Sequence, residues 1–300
     1  MRMKKSVWRN LFLVCNIVLL TVISLTCVLP FLNLLAISFS DKVPVTAGRV
    51  TFWPKGFTTA AYGFIINNDA FLRAVVVSIR RTLLGVAINV MIIVLTAYPL
   101  SKSTDDFSAR SFFAWFFVVT MLFSGGLIPG YMIVRNTGLM DTVWALVIPG
   151  AAPIFSILVV MNFMRGLPRE LEEAAYMDGA NHIDTLFRVI LPVSTPTLAT
   201  VTLFSFVGHW NSWFDGMIYM NRVENYPLQT YLRTVVINPE VFFRNAAAFT
   251  SSDISRFLNI INARTSAAAQ LFLATVPILM VYPFLQKYFT TGLVLGSVKG

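Results

Sequence analysis

Two short stretches of this 300-residue chain gather the side chains best equipped for chemistry. "EEAAYMDGANHIDTLFRVILP", residues 172–192, follows Glu170 and sets Glu172, Glu173, Asp178 and Asp184 around His182. Carboxylates beside an imidazole are what general acid–base catalysis or a metal site would use. "GHWNSWFDG", residues 208–216, holds His209, Trp210, Asn211, Trp213 and Asp215 on or near one helix, and aromatic faces with an amide suit the rings of a sugar.

Catalytic signatures are otherwise missing. The sequence has no H-E-x-x-H, no G-x-S-x-G and no Cys/His cluster. It has no phosphate loop and no Gly-Lys pair, so nothing in it marks a nucleotide-hydrolysing site. Within the first stretch the acids sit where a helix would want them. Pro168 suits a first turn, Glu170, Glu172 and Glu173 favour its positive end, and Gly179 suits its stop. Leu171, Ala174, Ala175 and Asp178 then share a slim face fit for a partner's groove. Ile183, Leu186, Phe187 and Ile190 form a second amphipathic turn, and Pro192 and Pro196 break the entry to the next apolar run.

The surroundings decide how these stretches are used. The chain is 56% hydrophobic and 12% charged, with 26 Phe, and a soluble domain of this size could not hide that much apolar surface. It reads as an all-α membrane protein. Six segments of roughly the 20 apolar residues a crossing needs span about 11–37, 82–100, 112–134, 143–164, 197–220 and 266–286. The basic leader "MRMKKSVWRN" precedes an apolar run too long for a secretory signal, so the first helix is expected to be retained with its N-terminus inside. Both termini and loop 165–196 are then cytoplasmic, and 1–300 reads as one transmembrane domain. "GLIPG" at 126–130 and "IPGAAP" at 148–153 should kink or interrupt spans three and four. The third, fourth and sixth runs hold no ionisable residue, which argues against a proton relay. Asp215 either lines a cavity or caps a break.

The net charge of +9 comes from scattered basic residues, and attraction to lipid headgroups explains it better than nucleic acid does. Cys15 and Cys27 lie together in the first apolar run and imply neither disulfide nor metal. The outer segments 38–81 and 221–265 look folded at the membrane surface, as docking sites or as interfacial caps. Their cations, Arg49, Lys55, Arg73, Arg80, Arg81, Arg222, Arg233, Arg244, Arg256 and Arg264, make a positive mouth suited to an acidic binding protein or an anionic sugar.

Glu173-Ala174-Ala175, three residues, Gly179, nine residues and Val189-Ile190-Leu191-Pro192 resemble the EAA loop of ATP-binding-cassette (ABC) importer permeases, departing only by Val189 for Ile. Asp178-Gly179-Ala180, "LTAYPLSK" at the end of span two, "FVGHWNSWFDGMIY" in span five and the tail "YPFLQKYFTTGLVLGSVKG" resemble the maltose-type inner-membrane subunit of sugar importers. The tail and length resemble permeases for complex or acidic oligosaccharides from plant or algal polysaccharides. The resemblance implies a type I importer fold in a bacterial inner membrane. It implies a second homologous permease, two ATPase subunits that bind ATP and Mg, and a soluble or lipid-anchored sugar-binding protein, with no cofactor in this chain. Glu173, Ala174, Ala175, Asp178, Gly179 and Pro192 would couple to the ATPase, and the terminal "GSVKG" would approach it. His209, Trp210, Asn211, Trp213 and Asp215 are the candidate substrate pathway. A permease for another small solute, or an ATP-independent channel or carrier, is the alternative.

Overall fold

The computed structural model describes residues 7–237 and 263–296, which are helical apart from loops and one isolated antiparallel bridge, Ser40 to Phe57. In chain order the helices are α1 (Val7–Ser38), α2 (Lys42–Thr46), α3 (Ala60–Ile66), α4 (Asp69–Ser101), α5 (Arg110–Leu122), α6 (Leu127–Asn136), α7 (Val143–Gly150), α8 (Ile154–Arg165), α9 (Glu170–Met177), α10 (His182–Val193), α11 (Thr195–Asn211), α12 (Phe214–Tyr219), α13 (Leu228–Ile237) and α14 (Ala263–Gly296). Helices α1, α4 and α14 are each long and apolar enough to cross a membrane, and the bent pairs α5–α6, α7–α8 and α10–α11 bring the total to six.

The bends fall where the sequence carries glycine and proline. Between α5 and α6 the chain turns through 113° at the "FSGG" of residues 123–126, so the third span is interrupted within 112–134, as the glycine–proline run there leads one to expect. The "IPGAAP" segment tightens into a 3₁₀ turn at Ile148–Gly150 and bends α7 against α8 by 47°. An 83° turn separates α10 from α11, with Pro192 before it and Pro196 after it. A proline removes one backbone donor on each side of that corner. The fifth span, 197–220, is broken near Asp215: α11 ends at Asn211 and α12 restarts at Phe214.

Span two departs from expectation in the other direction. Its helix starts at Asp69, well before residue 82, because the Asn68 carboxamide accepts the Phe71 N–H (3.1 Å) and Phe71 and Ala74 are buried below it. Arg73, Arg80 and Arg81 are therefore helical residues and not part of a loop. The sixth helix likewise runs past 266–286 at both ends.

The packing falls into two compact units, one from the described parts of 1–72 and 234–276 and the other from those of 73–233 and 277–300. In the first, Ala36, Ile37, Val45, Val50 and Ala268 form a small core. Asn33 donates to the Thr51 carbonyl (2.6 Å), the Ser38 and Tyr62 hydroxyls bond (2.8 Å), and Phe39 stacks on Phe57 and Tyr62. Residues 39–68 are thus folded, as their punctuation suggested. Nearly all of α1 before Asn33 presents its apolar side chains outward.

In the second unit Ile93, Ala97, Leu100, Ile157, Val160, Leu186, Ile190 and Val201 pack α4, α8, α10 and α11 together. At the far end of the fourth span from α9, Asp141 joins two loops. Its carboxylate accepts the Asn221 (3.1 Å) and Arg222 (3.3 Å) N–H groups and pairs with the Arg222 side chain (3.3 Å), while its N–H donates to the Tyr219 carbonyl (2.9 Å). Burial works to raise the Asp141 carboxyl, but the bonds from Asn225, Arg222 and Asn221 and the Arg222 charge prevail and hold it below the ordinary carboxylate value.

Asp141 is also the one described non-glycine residue at positive φ, 59°, a conformation Asp and Asn tolerate best. Asp141→Ala should cost roughly 1–2 kcal/mol through that conformation and the lost acceptors, whereas Asp141→Asn should stay close to wild type. Because the folded carboxyl is the stronger acid, its contribution is complete above the unfolded pKa and is lost as pH falls through the lower folded one. Thermal midpoints in detergent against pH will show this acid-side loss in wild type and not in Asp141→Asn.

Candidate functional site

The EAA stretch folds as its residue types dictate. Helix α9 opens on Glu170, Glu172 and Glu173 and ends in an Asp178–Gly179 turn with Gly179 at φ +83°. The Gly179 N–H donates to the Tyr176 carbonyl and the Ala180 N–H to Ala175 (2.9 Å), the pattern of a left-handed helix stop. The Asn181 carboxamide then caps α10 by accepting from Ile183 and Asp184, both at 2.9 Å.

The face drawn from spacing divides in two. Ala175 is buried and Leu171 half-buried, but Ala174 and Asp178 are exposed. In α10 Leu186 and Ile190 sink into the core while Ile183 and Phe187 stand out. The reason is a π-helical stretch over Thr185–Ile190, which shifts side chains off the 3.6-residue register. What faces outward is Ala174, Met177 (88% exposed), Ile183 and Phe187, an apolar surface beside the acids. A Cβ placed on Gly179 would meet nothing, so its surroundings are open. The tail residues 297–300 lie outside the described residues.

Beneath α9 lies a polar cavity of about 430 Å³ lined by Lys102, Asp106, Arg110, Arg169, Glu172 and Tyr176, among others. Lys102 pairs with Glu172 and sits 4.0 Å over the centre of the Tyr98 ring. Tyr176 bonds the His182 ring at Nδ1 (2.9 Å). Burial first, then the neighbouring Tyr98 hydroxyl, push the Tyr176 phenol up to about 12. That contact falls short of hydrogen-bond geometry, since the Tyr98 oxygen is buried without a partner. The acid that makes the structural bond is Glu172, not the motif's Glu173.

A second cavity of about 540 Å³ lies within the spans, lined by Arg81, Asn89, Ser156, Ser205, His209 and Asp215 along with Pro149, Phe204 and Tyr219. Of the five candidate pathway residues, His209 and Asp215 line it. Trp210 is buried and stacked parallel to Phe206, and Trp213 carries the Arg233 guanidinium 3.8 Å over its ring. Neither tryptophan nor Asn211 is among the lining residues.

Asp215 does both things foreseen for it. Its carboxylate accepts from the Ser212 hydroxyl and the Gly216 N–H, each at 2.8 Å, and so caps the restart of the fifth span. It also pairs with Arg81, whose second bond goes to the Ser212 carbonyl (3.1 Å) that the break leaves free. Arg81 is almost wholly buried, so it does not belong to the outer field of cations. Arg222 and Arg73 pair with Asp141 and Glu224, and Arg244 and Arg256 lie outside the described residues. Arg49, Lys55, Arg80 and Arg264 form no salt bridge with a described residue, and Arg80 lines a third cavity of about 330 Å³ with Asp141 and Asn225.

Sequence reasoning missed Asn89 and Gly85. With its amide oriented to satisfy both ends, Asn89 donates to the Gly85 (3.1 Å) and Gly150 (3.3 Å) carbonyls and turns its oxygen to the Ser205 hydroxyl, joining spans two, four and five. A Cβ on Gly85 would overlap the His209 ring, which fixes how closely spans two and five approach. Among the described residues no group of His, Cys, Asp or Glu could hold a metal ion.

A family model described as "Binding-protein-dependent transport system inner membrane component" matches residues 70–214. The Protein LplC of Bacillus subtilis (strain 168) is 38% identical over 97% of this chain and 96% of its own length. The polygalacturonan/rhamnogalacturonan transport system permease protein YtcP of the same organism is 36% identical over 94% and 96%. A chain in the crystal structure of a bacterial ABC transporter involved in the import of the acidic polysaccharide alginate superposes with a TM-score of 0.85 at 31% identity, over 96% of this chain and 99% of that one.

Two sets of variants test the geometry. Asp215→Asn or Arg81→Met alone leaves a group without its partner in the membrane interior and should cost about 3–5 kcal/mol, while the paired Arg81→Met/Asp215→Leu change should cost less than either. Thermal midpoints in detergent decide it. At Gly179 the penalty comes from φ and not from crowding, so Gly179→Ala should cost about 1 kcal/mol and Gly179→Asn less.

Proposed function

Because this chain belongs to the binding-protein-dependent transport system inner-membrane component family, we propose that it forms half of an ATP-driven pathway for uronate-rich oligosaccharides. It is a permease of an oligosaccharide ABC importer, a membrane transport subunit and not an enzyme. The other half of the pathway is a second homologous permease. Two ATPase subunits bind the ATP and Mg on the cytoplasmic side of a bacterial inner membrane, where both termini of this chain also lie.

Helix α9 seats in a cleft of the ATPase. The split of its surface supports this: Ala175, Leu186 and Ile190 anchor the loop, leaving Ala174, Met177, Ile183 and Phe187 as an exposed apolar patch where a polar loop surface would be expected. Glu173 and Asp178 rim that patch. Gly179 keeps its edge low, and Pro192 sets the corner into α11 through which the fifth span follows. With the stop in its observed conformation, a bulky residue at 179 should stop transport by obstructing the partner while leaving the chain in the membrane.

Sugar passes through the cavity of His209, Asp215, Asn89, Ser156 and Ser205, whose volume lies within the usual range of small-molecule sites. The observation that carries an acidic cargo is the near-full-length similarity to a polygalacturonan/rhamnogalacturonan permease, with the alginate importer beside it. The cations not paired to described acids, Arg49, Lys55, Arg80 and Arg264, would draw an anionic oligomer or its acidic carrier to the outer side.

The test is uptake by the complete importer in proteoliposomes, with oligogalacturonate and a neutral xylo-oligosaccharide as probes. Oligogalacturonate should enter about ten-fold faster, and raised salt should slow it as screening shortens the reach of the outer cations. Equal uptake of both sugars, indifferent to salt, would remove the acidic cargo.

A further inference from the structure

The "LTAYPLSK" run at the end of span two has no role in docking or passage, yet it supplies the contacts that hold α9. Lys102 pairs with Glu172, both mostly buried, and lies over the Tyr98 ring. Arg110, opening α5, donates to the Leu100 carbonyl (2.8 Å) and satisfies the end of the same helix. The sequence separation between Lys102 and Glu172 is 70 residues, so this is a tertiary latch and not a local turn.

From that latch α4 runs unbroken to the cavity. Arg81, Gly85, Asn89, Ile93 and Ala97 follow at intervals of four, one stripe along the helix. Each has a defined partner. Arg81 holds Asp215, Gly85 touches His209, and Asn89 bonds Gly150 and Ser205. Ile93 and Ala97 have no exposed surface and belong to the core with Ile157, Val160, Leu186, Ile190 and Val201. From Arg81 to Lys102 is 21 residues (102 minus 81), or roughly 30 Å of helix. In the other route from α9 to the cavity, the chain passes a π-helical stretch and then an 83° corner before it reaches α11.

We propose that α4 is the transmission rod of this subunit, latched to α9 through the Lys102–Glu172 ion pair so that displacement of α9 reaches the Arg81–Asp215 pair and His209. Lys102 and Glu172 are positioning residues and touch neither sugar nor nucleotide. The inference rests on the reading of α9 as the helix seated in the ATPase. Its mechanical element is the continuous stretch of α4 from Arg81 to Ser101, with a mostly buried charge pair at either end of that stretch, and packed interfaces of this kind shift between discrete arrangements instead of deforming smoothly.

The test uses the complete importer in lipid nanodiscs, carrying Cys15→Ser and Cys27→Ser with a reporter Ser205→Cys in the cavity. Maleimide labelling of the reporter is compared without nucleotide and with ATP and vanadate, and co-purification of the ATPase subunits is scored alongside. With the native pair, labelling should change about ten-fold, the scale of ordinary coupling between sites. Lys102→Glu and Glu172→Lys should each keep the ATPase subunits and lose that response, while the double swap and Lys102→Arg should restore it. A charge-reversed single that keeps the response, a swap that fails to restore it, or charge-reversed singles that lose the ATPase subunits would each overturn the rod. Met177→Glu tests the docking reading separately: it should release the ATPase subunits, and their retention would sink that reading, on which the rod rests.

Discussion

The bond between Arg81 and Asp215 is the constraint around which the second unit is arranged. A guanidinium enclosed in a spanning helix is tolerated only when it is paired with a counter-charge and its terminal nitrogens are hydrogen-bonded, since hydrocarbon offers no substitute for water. The structure meets that need by stopping the fifth span at Asn211. The break frees the Ser212 carbonyl for Arg81 and puts Asp215 at the start of the next helix, where the same carboxylate also caps Gly216. An unbroken helix over 197–220 would supply neither the carbonyl nor the cap. The discontinuity is therefore required by the arginine, and the cavity beside it is lined by the residues the arrangement exposes.

The same economy of polar groups governs the surroundings of α9. Three acids open α9, yet Glu172 alone turns inward to a lysine, and the others stay exposed around a patch of Ala174 and Met177. Placing a mostly buried pair under a helix and an apolar surface above it gives that helix two different faces. The inner one is directional and charged. The outer one is apolar, and a small residue, Ala174, and an open, left-handed glycine stand there.

Much of this was legible from residue types. Composition located six apolar segments, and Gly126, Pro129, Pro149 and Pro153 marked the bends, because a missing donor or a missing side chain acts locally. The helix over 170–177 and its stop at Gly179 followed from acids, proline and glycine for the same reason. Pairings across the fold were not legible. Arg81 read as an outer cation because its partner is 134 residues away, and nothing near Lys102 announces Glu172. Spacing also misplaced Phe187, since the split of α10 between core and surface depends on a π-helical stretch that the 3.6-residue pattern does not encode, and it set Ala175, which is buried, on the same face as the exposed Ala174. The early start of α4 went unseen because Arg73, Arg80 and Arg81 lowered its apparent hydropathy, although two of the three are paired in the fold.

The charge balance of the inner cavity has a further implication for a transporter. Arg81 and Asp215 neutralise one another, so the chamber offers hydrogen-bonding groups from Asn89, Ser156, Ser205 and His209 without a net ionic trap. An unpaired arginine there would bind an anionic sugar strongly and release it slowly. Conduction through a membrane protein needs sites that are good enough to enter and weak enough to leave. Cations suited to attracting an anion are accordingly more useful at the periphery, where Arg49, Lys55 and Arg80 form no salt bridge with a described acid, than in the interior, where Arg81, the one buried arginine among the described residues, is already matched.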